Sequence, residues 1–95
     1  MIKNLFDLNN RWILLTGVSG YLGKEILKGL LDSGVHVIGV SRNISNIKPQ
    51  NENFNFDQIH LIQGDLLDVH FRNKLVKEIY KLTDELHGVV HAAHS

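Results

Sequence analysis

Three glycines at intervals of three, Gly17, Gly20 and Gly23, stand in the segment Thr16-Gly17-Val18-Ser19-Gly20-Tyr21-Leu22-Gly23. A glycine-rich turn between a strand and a helix can cradle a phosphate. Backbone N–H groups approach its oxygens, and the helix N-terminus adds partial positive charge. In that reading Gly17 permits the tight turn out of the strand, Gly20 lets the backbone come close to a pyrophosphate, and Gly23 lets the helix pack against the sheet. Ser19, Tyr21 and Leu22 complete the candidate cradle. The spacing departs from G-x-G-x-x-G, because the first two glycines are also three apart. The phosphate loop G-x-x-x-x-G-K-[ST] is excluded. Gly23-Lys24 matches its end, but Glu25 replaces the magnesium-binding hydroxyl and Val18 its first glycine. The plain alternative is that the glycines only ease a turn.

Two more tips carry polar groups suited to a dinucleotide. Arg42 follows a second apolar run, where an acidic residue would hydrogen-bond a ribose 2′-hydroxyl. An arginine instead offers a planar fork to a 2′-phosphate, so the expected cofactor is NADP, with NAD as the alternative. Gly64-Asp65-Leu66 closes a third run. There the Asp65 carboxylate could accept from an adenine amino group and the Leu66 N–H could serve a ring nitrogen. The bland readings are a solvated arginine and an aspartate that caps a turn.

The elements that must position these residues follow from periodicity. Trp12 to Leu15 is a short apolar run closed by Thr16-Gly17, the pattern of a buried strand. Leu22, Ile26, Leu27, Leu30 and Leu31 form one stripe of a helix from about Gly20 to Asp32, ended by Ser33-Gly34. Val35 to Val40 is the second strand. Residues 43–58 hold five asparagines and the one proline, and read as a loop with one helical turn near Ile44 to Ile47. Ile59 to Ile62 is the third strand. A helix from about Asp68, its N-cap, to Thr83 carries Phe71, Leu75, Val76, Ile79, Tyr80 and Leu82 at mostly helical spacing. Lys74, Lys77, Glu78 and Lys81 form its solvated face, while Trp12 and Phe71 read as core. Gly88 to Ala93 is the fourth strand. Such alternation implies an α/β fold with parallel strands and right-handed crossovers.

Composition narrows the function. The 95 residues balance ten basic against ten acidic side chains, so no electrostatic footprint for a nucleic acid is expected. There is no cysteine, which excludes a disulfide scaffold, a thiolate zinc site and a cysteine nucleophile. No apolar run approaches the roughly 18 residues of a membrane span, and the first residues do not resemble a signal peptide, so a cytoplasmic location is expected. Six histidines invite a metal reading. His91 and His94 lack an accompanying carboxylate cluster, so no metal site is expected. His36 and His60 read as packed or edge residues.

Four segments together, Thr16-Gly17-x-x-Gly20-x-x-Gly23, Ser41-Arg42, Asp65-Leu66 and Val89-Val90-His91-Ala92-Ala93, resemble the short-chain dehydrogenase/reductase superfamily. The glycine spacing is similar to its extended or atypical branches. The resemblance implies a Rossmann-like, doubly wound parallel sheet of about four strands, ordered 3-2-1-4, with NADP or NAD bound. It also implies hydride transfer at a carbonyl or alcohol carbon. His91, Ala92 and Ala93 match a His-x-Ala-Ala-like variant that packs near the cofactor ribose, with His94 where the commonest pattern has glycine.

The family's catalytic Tyr-x-x-x-Lys is absent. Four residues after Tyr21 and Tyr80 stand Glu25 and Asp84. Residues 1–95 therefore read as a single partial cofactor-binding domain, truncated at its C-terminus, with no catalytic residue. A stand-alone nucleotide-binding or interaction module is the second reading, and an inactive relic the third. The fourth strand would leave Val89 and Val90 at an open sheet edge, so association into oligomers is expected.

Overall fold

The structure is a computed structural model that describes residues 11–18, 20–44 and 57–92. The described residues form, in order, β1 (Trp12–Thr16), α1 (Tyr21–Asp32), β2 (His36–Ser41), β3 (Ile59–Gln63), α2 (Val69–Leu82) and β4 (Gly88–His91). The four strands form one parallel sheet in the order β3-β2-β1-β4, as the resemblance implied. Ser19, Ala93, His94 and the helical turn expected near Ile44 to Ile47 lie wholly or partly outside the described residues.

Strand register decides which side chains share a face. Ile13 pairs with Val37 and Gly88, and Leu15 with Gly39 and Val90, so these point one way. That face receives α1. Leu15, Val18, Leu27, Val35, Val37 and Ala92 are buried together there, with Ile26, Leu30 and Leu31 packed against them. The helical stripe read from the sequence is therefore real, except that Leu22 at its start is half exposed. Gly20 is the N-cap rather than the first helical residue, and Gly34, at φ 88°, ends the helix as expected.

The β3-to-β4 connection runs back across the sheet in the opposite sense to β1-to-β2. Right-handed crossovers then put α2 on the other face. Asp68 caps α2 by accepting from the His70 N–H at 2.9 Å. The apolar stripe expected on α2 is only partly buried. Leu75 is its buried residue, whereas Val76 and Tyr80 are 49% and 70% exposed. The sheet beneath is finished around Ile38 and Val40, both fully buried, but Val89 on the edge strand remains 62% exposed. Trp12, expected in the core, is only half-buried on this face. Among the described residues, no helix is long and apolar enough to cross a membrane.

Two glycines of α1 separate by environment. A Cβ at Gly23 would collide with the Gly17 carbonyl, whereas one at Gly29 meets nothing within 4 Å. Gly23→Ala should therefore destabilise the fold by about 1–3 kcal/mol through overpacking. Gly29→Ala should stabilise it by roughly 0.5–1 kcal/mol through helix propensity and a less flexible unfolded chain. Urea unfolding of the two variants checks the opposite signs.

Candidate functional site

The glycine-rich turn is built by one acceptor. The Val40 carbonyl at the end of β2 takes the Gly17 N–H at 2.9 Å and the Val18 N–H at 3.4 Å. Gly17 lies at φ 73°, where a side chain would be strained, so the turn out of β1 needs glycine. Val18 is fully buried and rests on Gly39, whose missing side chain makes room for it. In the sequence Val18 signals only that the phosphate-loop motif is absent. Here it anchors the turn. Gly23 plays its expected packing role, but against the Gly17 carbonyl of the turn rather than against the sheet.

Gly20 is different. A Cβ there would meet only the Gly17 carbonyl oxygen, at an ordinary 3.6 Å, and the residue is exposed in an extended conformation. Nothing among the described residues requires a glycine at this position. Gly20 caps α1 without a side chain, and the Lys24 N–H returns to its carbonyl at 2.9 Å. The first-turn amides of Tyr21 and Leu22 therefore face outward from the helix end, with no acidic side chain in that turn.

These residues line an open cleft of about 1060 Å³ over the C-terminal ends of the strands. Its walls include Gly17, Gly20, Tyr21 and Leu22 from the turn, Ser41 and Arg42 after β2, Asp65 and Leu66 after β3, and His91 and Ala92 after β4. The topology thus brings together Gly17, Gly20, Tyr21, Leu22, Arg42, Asp65, Leu66, His91 and Ala92, picked separately from the sequence. Gly23 sits beneath the turn, and Ser19 and Ala93 lie outside the described residues. Val40, Asn43, Gly64 and Leu67 also line the cleft and were not anticipated. Their one sequence signal is that each adjoins a predicted residue at a strand end.

The acidic tip is held by its own hydrogen bonds. Asp65 Oδ1 accepts from the Leu67 N–H at 2.9 Å, and the Asp65 carbonyl accepts from the Asp68 N–H at 3.0 Å. This is the turn-capping role kept as the plain alternative, though a carboxylate retains further lone pairs for a ligand. Arg72, one turn into α2, donates from Nη1 to the Leu66 carbonyl at 2.9 Å, a tie that sequence reading missed. The Phe71 ring lies where a Cβ of Gly64 would be, which explains the glycine before Asp65.

On the opposite side, Thr16 is buried and its Oγ1 hydrogen-bonds Nδ1 of His91. The Ala92 N–H donates to the Thr16 carbonyl at 3.0 Å. The ends of β1 and β4 are thereby locked beside the glycine turn. Among the described residues, no group of three or more His, Asp or Glu is placed to hold a metal ion.

Comparison with known proteins gives a consistent result. The model of the NAD dependent epimerase/dehydratase family matches residues 13–95. Among solved structures, a putative short chain dehydrogenase from Escherichia coli CFT073 is similar at 28% identity and a TM-score of 0.79, covering 95% of this chain and 42% of that one. A short-chain type dehydrogenase/reductase from Mycobacterium ulcerans is similar at 26% identity and 0.79, covering 94% and 34%. An oxidoreductase from E. coli is similar at 29% identity and 0.77, covering 95% and 39%. The chain thus spans well under half the length of these proteins. No match was found among curated protein sequences.

The Thr16–His91 bond is open to a direct check. Thr16→Val keeps the shape but leaves His91 without its partner, and should cost about 1 kcal/mol of stability. Chemical denaturation measures it, and Thr16→Ser should recover most of the loss.

Proposed function

The chain belongs to the NAD dependent epimerase/dehydratase family, and on that footing we propose that it is the cofactor-holding portion of an NAD(P)-dependent oxidoreductase of the short-chain type. One observation carries the reading. The glycine turn, Arg42, Asp65 and His91 converge on a single cleft at the C-terminal strand ends, where ligands bind in open α/β sheets.

The residues present fit a dinucleotide. Gly20 leaves the backbone bare at the helix mouth although the described residues leave room for a Cβ there, which supports a glycine kept for the ligand. The first-turn amides of α1 would hold the pyrophosphate. Asp65 and Leu66 would hold the adenine edge, held in place themselves by Arg72. Arg42 would face the 2′-position of the adenosine ribose and favour NADP over NAD. His91 and Ala92, with Ala93 next in sequence, would flank the ribose nearer the nicotinamide. When bound, the nicotinamide supplies a hydride donor or acceptor for a carbonyl or alcohol carbon. No Tyr-x-x-x-Lys pair occurs in these 95 residues, so their share of the reaction is to bind and orient the cofactor. The single-partial-domain reading of residues 1–95 and a cytoplasmic location belong to the same proposal.

Three outcomes follow from this assignment. Gly20→Ala should leave stability within about 1 kcal/mol, as expected for a cap position. It should nevertheless weaken dinucleotide binding about tenfold, corresponding to roughly 1.4 kcal/mol. Isothermal titration beside thermal unfolding separates the two effects, and unchanged affinity would remove the cleft as the cofactor site. Arg42→Asp should weaken NADP more than NAD, and equal changes would remove Arg42 as the selector. The open β4 edge should drive association with rising concentration. Light scattering that reports a monomer throughout would refute that expectation.

A further inference from the structure

The pole of the sheet opposite the cleft gathers three of the six histidines around the one tryptophan. Trp12 opens β1, five residues before the glycine turn. Its indole stacks with the His36 ring, centroids 4.5 Å apart and planes 11° from parallel. It also stacks with the His60 ring at 5.5 Å and 22°. Trp12 pairs in register with His36, and Ile38 with His60, so all three rings leave the sheet on the face opposite α1. The third histidine holds the tryptophan backbone from both sides. The Trp12 N–H donates to Nδ1 of His87 at 2.9 Å, and the Trp12 carbonyl accepts from the His87 N–H at 2.8 Å.

Hydrogen-bond geometry at two of these imidazoles suits the neutral ring, and burial favours it at the third. Nδ1 of His87 must offer a lone pair to the Trp12 N–H, so its ring proton belongs on Nε2, which lies 3.1 Å from Glu85 Oε1. A doubly protonated ring would set one N–H against another. Nδ1 of His36 is buried with no hydrogen-bond partner among the described residues. The cation would have to place an unpaired N–H donor there, which is costly. Burial pushes His60 below the ordinary histidine value of 6.5, and nearby His36 adds to this, while Asp57 pulls the other way.

Other charged groups lie at this end of the sheet. Arg11 precedes β1, and its carbonyl accepts the His36 N–H at 2.8 Å. Asp57 precedes β3, and Asp84 and Glu85 precede β4. At the end of α2, Glu78 and Lys81 pair with each other at 3.4 Å. Asp32 ends α1 on the opposite face. The carboxylates nearest the rings, Asp57 and Glu85, favour the cations and oppose the packing.

We propose that Trp12, His36, His60 and His87 form a proton-operated latch on the first rung of β1, closed while the rings are neutral and released when they take up protons. The latch does not depend on what the cleft binds. Its sign follows from linkage. A histidine that is harder to protonate in the folded state contributes stability that is present above 6.5 and is lost as the pH falls through its lower folded value.

Trp12 is the only indole in the chain, so its emission reads the latch directly. The test is a titration of the full chain from about pH 8 to pH 5, the range in which histidine changes charge. Emission and far-UV circular dichroism are followed together. The expected result is a red shift with loss of intensity, centred below 6.5, while much of the helical signal persists. His36→Gln with His60→Gln should flatten the transition, and Glu85→Gln should move it to lower pH. Emission that stays constant to about pH 5, or titrates unchanged in the double variant, overturns the proposal. If the double variant does not fold, histidine proton resonances of the unaltered chain replace it. They must titrate together with the emission, and a midpoint that differs from it also overturns the latch.

Discussion

The fold and the cleft depend on one acceptor, the Val40 carbonyl. It takes the amides of both Gly17 and Val18, and so fastens the start of the β1-to-α1 turn to the end of β2. With the turn pinned there, Gly17 must adopt a positive φ and Val18 must point inward onto Gly39. The Gly17 carbonyl is then turned toward α1, and only a glycine at 23 lets the helix lie against it. One hydrogen-bonding constraint accounts for two of the three motif glycines. The third, Gly20, is a position at which nothing among the described residues requires a glycine.

The two faces of the sheet are finished to different degrees. The face toward α1 is a closed apolar core, with Leu15, Val18 and Val37 wholly buried. The face toward α2 closes over Ile38 and Val40, yet leaves Val89 exposed and Trp12 half covered by imidazole rings. The two poles differ in chemistry: backbone amides at the C-terminal strand ends, and stacked aromatic rings at the N-terminal ends.

Much of this was legible in the sequence. The period-3.6 stripe of α1, the β-branched run of β2 and the glycine stops marked element boundaries to within a residue or two, because those signals are local. The strand order came from resemblance to a family, and the sheet adopts it. The apolar spacing of α2 is helical, as the sequence indicates, but its stripe is only partly buried. Periodicity reports which residues share a face, not whether anything covers that face, and Val76 and Tyr80 stay exposed. Trp12 misled for a related reason, since large apolar rings favour burial but here lie on the less covered side.

By itself the sequence determined the alternation of strands and helices and the positions where only glycine serves a turn. It also determined the short list of polar residues at strand ends, because backbone propensity and hydrophobic period act over a few neighbouring residues. Tertiary structure alone decided which of those residues meet. Parallel register set Thr16 against His91 and Trp12 against His36 across long stretches of chain. Such pairings depend on hydrogen-bond registry between distant strands, for which no local pattern in the chain carries a signal.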